Sequence, residues 1–288
     1  MSIAFLGPRG TYSEEAAVTY GGLNAELIPS SSIPACAEAV ERGETGAAVL
    51  PIENSIEGGV STTLDLLIHE TDLRICHEVV VPIRHVMVAK EEIPISEVRT
   101  VMSHPQALGQ CRRFLDREMP NAEQVAALST AGAVQAVVEG SDLAVVAVGP
   151  APAQQLYGGV IIAENIQGNP SNLTRFVVLA REDAAPTGDD KTSIGLTADA
   201  DEPGVLEKII RPLAEAGINL TRLESRPTKG WLGTYVFLID FEGHRADPNV
   251  REVLSAMEQY AETLKVFGSY PRFPIETLRD VMSVKSLH

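Results

Sequence analysis

The chain has 288 residues, enough for about two domains at ~150 residues each, and its 44% apolar and 22% charged residues supply ample core material for a globular protein. With 23 Lys plus Arg against 39 Asp plus Glu the formal charge is −16, which argues against nucleic acid as a partner. The two most apolar windows, 79–89 and 143–163, are broken before the ~18 uninterrupted residues of a membrane helix. The N-terminal MSIAFLGPRGTYSEEAA lacks the basic-then-apolar order of a signal peptide, so a cytoplasmic protein with no membrane contact is expected.

Ile3–Leu6 reads as a strand, GPRG turns it, and Thr11-Tyr12-Ser13-Glu14 has the capping-box spacing that opens a helix through Tyr20. Ser32–Arg42 reads as a helix, Gly46–Pro51 as a short buried strand and Gly59–His69 as a helix. Arg74–Val88 reads as strands and Val98–Met102 as another, leading into a helix at Ser103–Arg117 whose Ser103-x-x-Gln106 repeats the capping box. A helix at Thr130–Glu139, a strand at Leu143–Val148, a helix at Ala151–Tyr157 and strands at Val160–Ala163 and Phe176–Ala180 follow. This β-loop-α alternation predicts an α/β fold of parallel sheets covered by helices.

The polar stretch Arg181–Lys191 reads as a linker. Beyond it come strand Thr192–Ala198, helix Pro203–Ala216, strands Ile218–Ser225 and Tyr235–Phe241, helix Asp247–Thr263 and strand Leu264–Ser269. That order, βαββαβ, is the ferredoxin-like arrangement.

Cys36, Cys76 and Cys111 are far apart with no C-x-x-C, and the six histidines form no H-x-x-x-H pair. Reduced buried thiols and no metal are the reading. No glycines are spaced as G-x-G and no G-K-[ST] occurs, so nucleotide cofactors lose support and no cofactor is expected.

Four segments carry polar groups suited to an anion. GPRGTYSEE offers a helix N-terminus at Thr11, or Thr11 merely caps. PIENSIEGGV sets Glu53, Asn54, Ser55 and Glu57 by a Gly pair, which is also ordinary turn chemistry. SHPQALGQC places Ser103, Gln106 and Gln110 on one helix stripe, either functional or solvated, beside His104. NLTRF puts Thr174 and Arg175 ahead of Phe176 at a strand mouth, where Arg175 either forks a carboxylate or joins a surface ion pair.

Taken in order, GPRGTYSEEAA, PIENSIEGGV, SHPQALGQC and NLTRF resemble the catalytic-domain motifs of prephenate dehydratases, and GINLTRLESRP and EGH resemble those of the ACT domain that follows in that family. The resemblance covers nearly the whole chain. It implies a two-lobed catalytic domain at residues 1–181, similar to type 2 periplasmic binding proteins, with lobe 1 at about 1–78 and 162–181 and lobe 2 at about 79–161. A linker at 182–191, an ACT domain at 192–272 and a tail at 273–288 complete the division.

The resemblance further implies catalytic roles for Asn54, Ser55, Ser103, Gln110, Thr174 and Arg175, with Thr11, Glu53, Gln106 and Phe176 binding substrate. It implies an allosteric phenylalanine site on Gly204, Val205, Leu206, Asn219, Leu220, Glu224, Ser225, Arg226 and Pro227, in a homodimer or homotetramer. Val205 departs from the family's usual Ala, narrowing that pocket by two methyl groups; Gly109 stands where Ala is common, and Gly168-Asn169-Pro170 replaces an Asp-rich approach to NLTRF.

The implied reaction expels carbon dioxide and a ring hydroxyl from prephenate, with Arg175 and the helix N-termini at Thr11 and Ser103 holding carboxylates and Thr174 donating to the departing hydroxyl. Glu53 and Glu57 are the nearest proton sources. Arogenate as substrate, or a non-catalytic cytoplasmic amino-acid-binding regulator, are the alternatives.

Overall fold

The computed structural model describes residues 1–198, 203–228, 235–274 and 276. The first sheet has the order β2-β1-β3-β11-β5, built from β1 (Ser2–Leu6), β2 (Glu26–Ser30), β3 (Ala47–Asn54), β5 (Arg74–Pro82) and β11 (Leu173–Ala180), with the two-residue β4 (Gly58–Gly59) on the end of β3. Its inner strands are near-continuous apolar runs because helices or the C-terminal domain cover both faces. Helix α1 (Tyr12–Gly21) lays Ala16 and Ala17 on one face; α2 (Ile33–Glu41), capped by Ser32 accepting from Ala35 N, covers the other.

The second lobe is a sheet of order β10-β6-β9-β7-β8: β6 (Val86–Ala89), β7 (Thr100–Ser103), β8 (Glu123–Ala126), β9 (Val145–Gly149) and β10 (Val160–Glu164). Helices α4 (Pro105–Glu118), α5 (Thr130–Glu139) and α6 (Ala151–Tyr157) flank it. The chain passes between lobes twice, through residues 83–85 and 165–172, so a cleft opens beside these two crossings.

The expected lobe boundaries shift accordingly. Position 78/79 falls inside β5, which pairs with β11 from Pro82 to Arg74, and position 162 falls inside β10, which pairs with β6. The sheets are mixed rather than parallel: β11 runs antiparallel to β3 and β5, and β6 antiparallel to β9 and β10. The first strand of each crossing must return against its neighbours, so the β-loop-α order alone does not set direction. β2 and β8 add to the expected strands; both are short edge strands, β2 half-exposed and β8 mostly exposed, with little apolar pattern to mark them. The expected helix 59–69 is a single α turn, α3 (Ser61–Asp65), followed by a π turn at Leu66–Glu70.

The C-terminal domain is the anticipated βαββαβ unit, with sheet order β13-β14-β12-β15 from β12 (Asp190–Ala198), β13 (Leu220–Pro227), β14 (Tyr235–Glu242) and β15 (Ala261–Pro271). β12 begins at Asp190, inside the expected linker, and β15 begins three residues before the expected strand. The first helix opens two residues later than the expected Pro203, with α7 at Val205–Glu215 behind Gly204, which holds φ +90°. With α8 (Pro248–Glu258), it packs on the sheet face carrying Ile194, Leu196, Ile239 and Phe241.

Alternation along β14 sends Val236 and Leu238 to the opposite face, into a core shared with Ile75, Val177 and Leu179 of the first lobe. Gly268 of β15 lies so close to β5 that a Cβ there would stand 2.2 Å from Ile75 O. The two domains are therefore docked backbone to backbone, not merely tethered. Among the described residues no helix is long and apolar enough to cross a membrane, and the three cysteines are unpaired thiols.

Candidate active site

A cleft of ≈ 730 Å³ lies between the lobes. Thr174 and Asn54 come from the first sheet, where they are register partners at the open ends of β11 and β3. Tyr12 comes from α1, His85 from the first crossing, Gln106 and Gln110 from α4, and Ser129 with Thr130 from the start of α5. The N-termini of three helices therefore face one space, with Thr11 capping α1, His104 capping α4 and Ser129 capping α5. Among the described residues no Lys, Arg, Asp or Glu lines the cleft.

A chain of amide hydrogen bonds runs along its floor, and its polarity is set at one end by backbone. Asn54 Oδ1 accepts from Ile56 N at 3.0 Å and Glu57 N at 3.1 Å, so its Nδ2 must face the other way. That Nδ2 donates to Thr174 Oγ1 at 2.9 Å and to Asn172 Oδ1 at 2.8 Å. Asn172 Nδ2 in turn donates to Gln110 Oε1 at 2.9 Å, and the same oxygen lies 3.0 Å from His85 Nε2.

Two consequences follow from counting donors. Thr174 accepts from Asn54, which leaves its own proton for something in the cleft. The network assigns the His85 proton to Nε2, since Gln110 Oε1 offers only acceptance. Burial pushes the His85 pKa below the ordinary value, against a smaller opposing effect of the Gln110 bond, so the ring is held neutral. Its Nδ1 faces Tyr12, whose hydroxyl donates to Arg84 O.

Of the residues singled out from the sequence, Thr11, Asn54, Gln106, Gln110, Thr174 and Phe176 line the cleft. Four others do not. Ser103 is fully buried at the end of β7 and donates to Val148 O at 2.5 Å, so His104 rather than Ser103 caps α4. Ser55 donates to Ser171 O and accepts from Leu173 N at 3.0 Å, stapling the second crossing to β3. Glu57 lines a separate groove with Arg112 and Arg113.

Arg175 is the largest correction. Thr174 and Phe176 line the cleft, so Arg175 between them points through the opposite face of the sheet, toward the C-terminal domain. There its Nε donates to Glu53 Oε2 at 3.1 Å and its Nη1 to Glu78 Oε2 at 3.2 Å, while Nη2 stands 2.9 Å from Asp240 Oδ2. Glu53 follows it out of the cleft as its register partner. Neither Arg175 nor Glu53 is placed to hold substrate.

The sequence reading missed Tyr12, His85, Asn172, Ser129 and Thr130 as cleft or network residues. Asn172 lay inside the quoted NLTRF segment and Ser129 stood at the N-cap of a predicted helix, so both had local signals. His85 meets Gln110 across 25 residues and Tyr12 across 73, and neither separation leaves a trace in local pattern.

In the C-terminal domain the segments expected to hold phenylalanine occupy one end of α7 and the strand β13. Gly204 precedes α7, Val205 and Leu206 begin it, and Val205 packs partly on the domain core. Asn219 Nδ2 donates to Glu242 Oε1 at 3.3 Å beside Leu220. β13 is an edge strand of alternating exposure: Ser225 and Pro227 are exposed, whereas Glu224 takes the Arg222 guanidinium at 2.5 Å and Arg226 lies 3.6 Å from Asp65 of the first lobe.

Residues 3–184 match a family model described as prephenate dehydratase, and residues 192–259 match one described as the ACT domain. A prephenate dehydratase of Amycolatopsis methanolica is 40% identical over 274 residues, covering 94% of this chain and 88% of its own. The structure of a prephenate dehydratase of Arthrobacter aurescens in complex with L-Phe has a TM-score of 0.87 at 35% identity, covering 99% of both chains. A quorum-quenching acylase, GqqA, has a TM-score of 0.83 at 30% identity, over 96% of this chain and 100% of its own.

Proposed function

The chain belongs to the prephenate dehydratase family, and on that premise we propose that it converts prephenate to phenylpyruvate under feedback from phenylalanine. The reaction breaks the bond from the ring to its carboxylate, moves that electron pair into the ring and breaks the C4–O bond. Prephenate dianion plus one proton gives phenylpyruvate anion, carbon dioxide and water. The proton goes to the departing hydroxyl.

The observation that carries the reading is the polarity of the Asn54–Thr174 bond. A hydroxyl that already accepts from Asn54 presents its proton to the cleft, where it stabilises charge building on the leaving oxygen. Threonine is too weak an acid to be the proton's net source, so Thr174 acts as donor or relay. The Gln110 Nε2 donors and the N-termini of α1, α4 and α5 take the carboxylates.

A lining without Lys or Arg among the described residues is suited to this chemistry. A guanidinium on the ring carboxylate would stabilise the charge that must disappear as carbon dioxide leaves, favouring the ground state over the transition state. Weaker dipolar donors bind the anion without that penalty. Arogenate differs by an ammonium group, and among the described residues no carboxylate lines the cleft to receive one, which favours prephenate.

An acylase reading, prompted by GqqA, finds less support. The Thr174 hydroxyl is oriented by an amide, and His85 is spent on Gln110 and faces a tyrosine, so among the described residues no base is hydrogen-bonded to this hydroxyl. For the C-terminal domain, we infer that phenylalanine binds where α7 and β13 present their surface segments, across the ACT domains of a homodimer or homotetramer joined through the open edge of β13. The absence of a membrane-spanning helix from the described residues is consistent with a cytoplasmic enzyme.

The test is phenylpyruvate absorbance after incubation with prephenate, with and without phenylalanine. Turnover that phenylalanine suppresses is expected; no phenylpyruvate from prephenate would refute the assignment.

A further inference from the structure

Arg175 belongs to a charge cluster that spans the two domains and is buried except at the half-exposed Glu53. From the catalytic domain come Glu53, Glu78 and Arg175; from the C-terminal domain come Asp240 and Lys191, whose Nζ lies 2.8 and 2.9 Å from the two oxygens of Glu78. Glu78 and Asp240 are 2% and 4% exposed, so these charges interact with little screening by water. Burial alone would raise the Asp240 carboxyl, yet Arg175, Arg222 and Lys191 hold it below the usual range. Such a cluster adds little stability over an apolar core, whereas its directional contacts fix the strands that carry it.

The register of β3 and β11 says what it positions. Thr174 pairs with Asn54 and Arg175 with Glu53, so the two residues that meet in the cleft are each followed or preceded by one anchored in the cluster. Directly beyond, the ladder is interrupted: Phe176 pairs with Pro51, leaving Ile52 as a bulge. A bulge weakens the continuity that would otherwise hold the strand end from below. β5 holds the other edge of β11 in unbroken register from Leu173 to Val178, and on the β3 edge the rung carrying Thr174 is braced from the back face by Arg175.

The anchor is not saturated. Arg175 Nη2 stands 3.0 Å from Glu53 Oε2 and 2.9 Å from Asp240 Oδ2, but its N–H bonds align with neither oxygen. A small turn of the guanidinium favours one acid over the other, so a shift of β14 reaches the rung directly.

We propose that Arg175 is a positioning residue that sets the Thr174–Asn54 pair, and that Asp240 of the C-terminal domain holds it there. The activity assayed rests on the prephenate dehydratase reading; the positioning itself does not.

The experiment uses full-length Asp240→Asn and Arg175→Lys. Arg175→Lys keeps the charge and loses the planar fork, and it serves should Asp240→Asn fail to fold. With prephenate, kcat falls about tenfold or more while KM changes little, since the rung is misplaced rather than the cleft emptied. In a Thr174→Val background the same substitutions cost little further rate, a non-additivity that a merely structural role would not produce.

Hydrogen exchange of peptides spanning 50–56 and 172–178 supplies a readout independent of turnover. Protection drops there in the variants and stays in β7 and β9. Wild-type kcat together with unchanged exchange in those peptides overturns the proposal. Absence of turnover by the wild-type protein refutes the activity alone, and exchange then decides the positioning.

Discussion

Removal of the Thr174 hydroxyl separates catalysis from folding. In Thr174→Val the side chain keeps its shape and its β-branch, so the strand position is unchanged. Asn54 Nδ2 loses one acceptor at 2.9 Å but retains Asn172 Oδ1 at 2.8 Å and Leu173 O at 3.2 Å. With two acceptors left, the loss costs about 1 kcal/mol of stability, the ordinary net worth of one hydrogen bond. In the proposed role of donor to the leaving oxygen, the same hydroxyl is worth about 2.7–4 kcal/mol in the transition state, or roughly 10²–10³ in rate. The enzyme should therefore melt only a few degrees lower yet lose most turnover. Initial rates from phenylpyruvate absorbance at saturating prephenate, beside a thermal melt, read both quantities. Thr174→Ser keeps the donor and should retain far more activity than Thr174→Val. A Thr174→Val enzyme within about tenfold of wild-type kcat would refute the reasoning, because no other effect of the substitution reaches the chemistry.

Gln110→Leu strips the acceptor shared by Asn172 Nδ2 and His85 Nε2, costing about 1–3 kcal/mol for each donor left unsatisfied, whereas Gln110→Glu keeps the acceptor; urea denaturation distinguishes them. His85 has a folded pKa below its unfolded value of ~6.5, so its contribution is complete above that value and is lost as pH falls through the folded one. Stability measured from about pH 7 downward should fall less steeply in His85→Gln than in wild type. Asp240 has the same sign: its contribution is present above ~3.9 and is lost as pH falls through its lower folded value, so acid denaturation should converge for wild type and Asp240→Asn. Gly268→Ala puts a Cβ 2.2 Å from a backbone oxygen that cannot rotate away, and should loosen domain docking by about 1–3 kcal/mol or more, seen as a lower or split melting transition.

Periodicity and end signals sufficed for most helices, because Ser32, Ser129 and the Pro residues of first turns act within a few residues of themselves. The same local physics made the βαββαβ unit and the order of the anion-suited segments legible, and with them the family. Helix starts at Ser103 and Gly59 were misplaced by a residue or two, since a hydroxyl followed by Gln marks a cap only if the backbone turns there, and Ser103 is still strand.

Strand alternation bears on Thr174 and Arg175 differently. That neighbours on a strand point to opposite faces follows from sequence once the strand is known to begin at Leu173, and it forbids both from lining one cleft. Which face is the cleft does not follow. It is decided by the return of the chain through residues 165–172 and by the docking of β14 and β15 on the back of the first sheet, contacts made across tens to hundreds of residues. The sequence alone thus determined the elements, the family and the cluster of polar groups. Only the tertiary structure turned Thr174 into the cleft and Arg175 toward the C-terminal domain, because a side chain's chemistry is local while the space it points into is made by the rest of the chain.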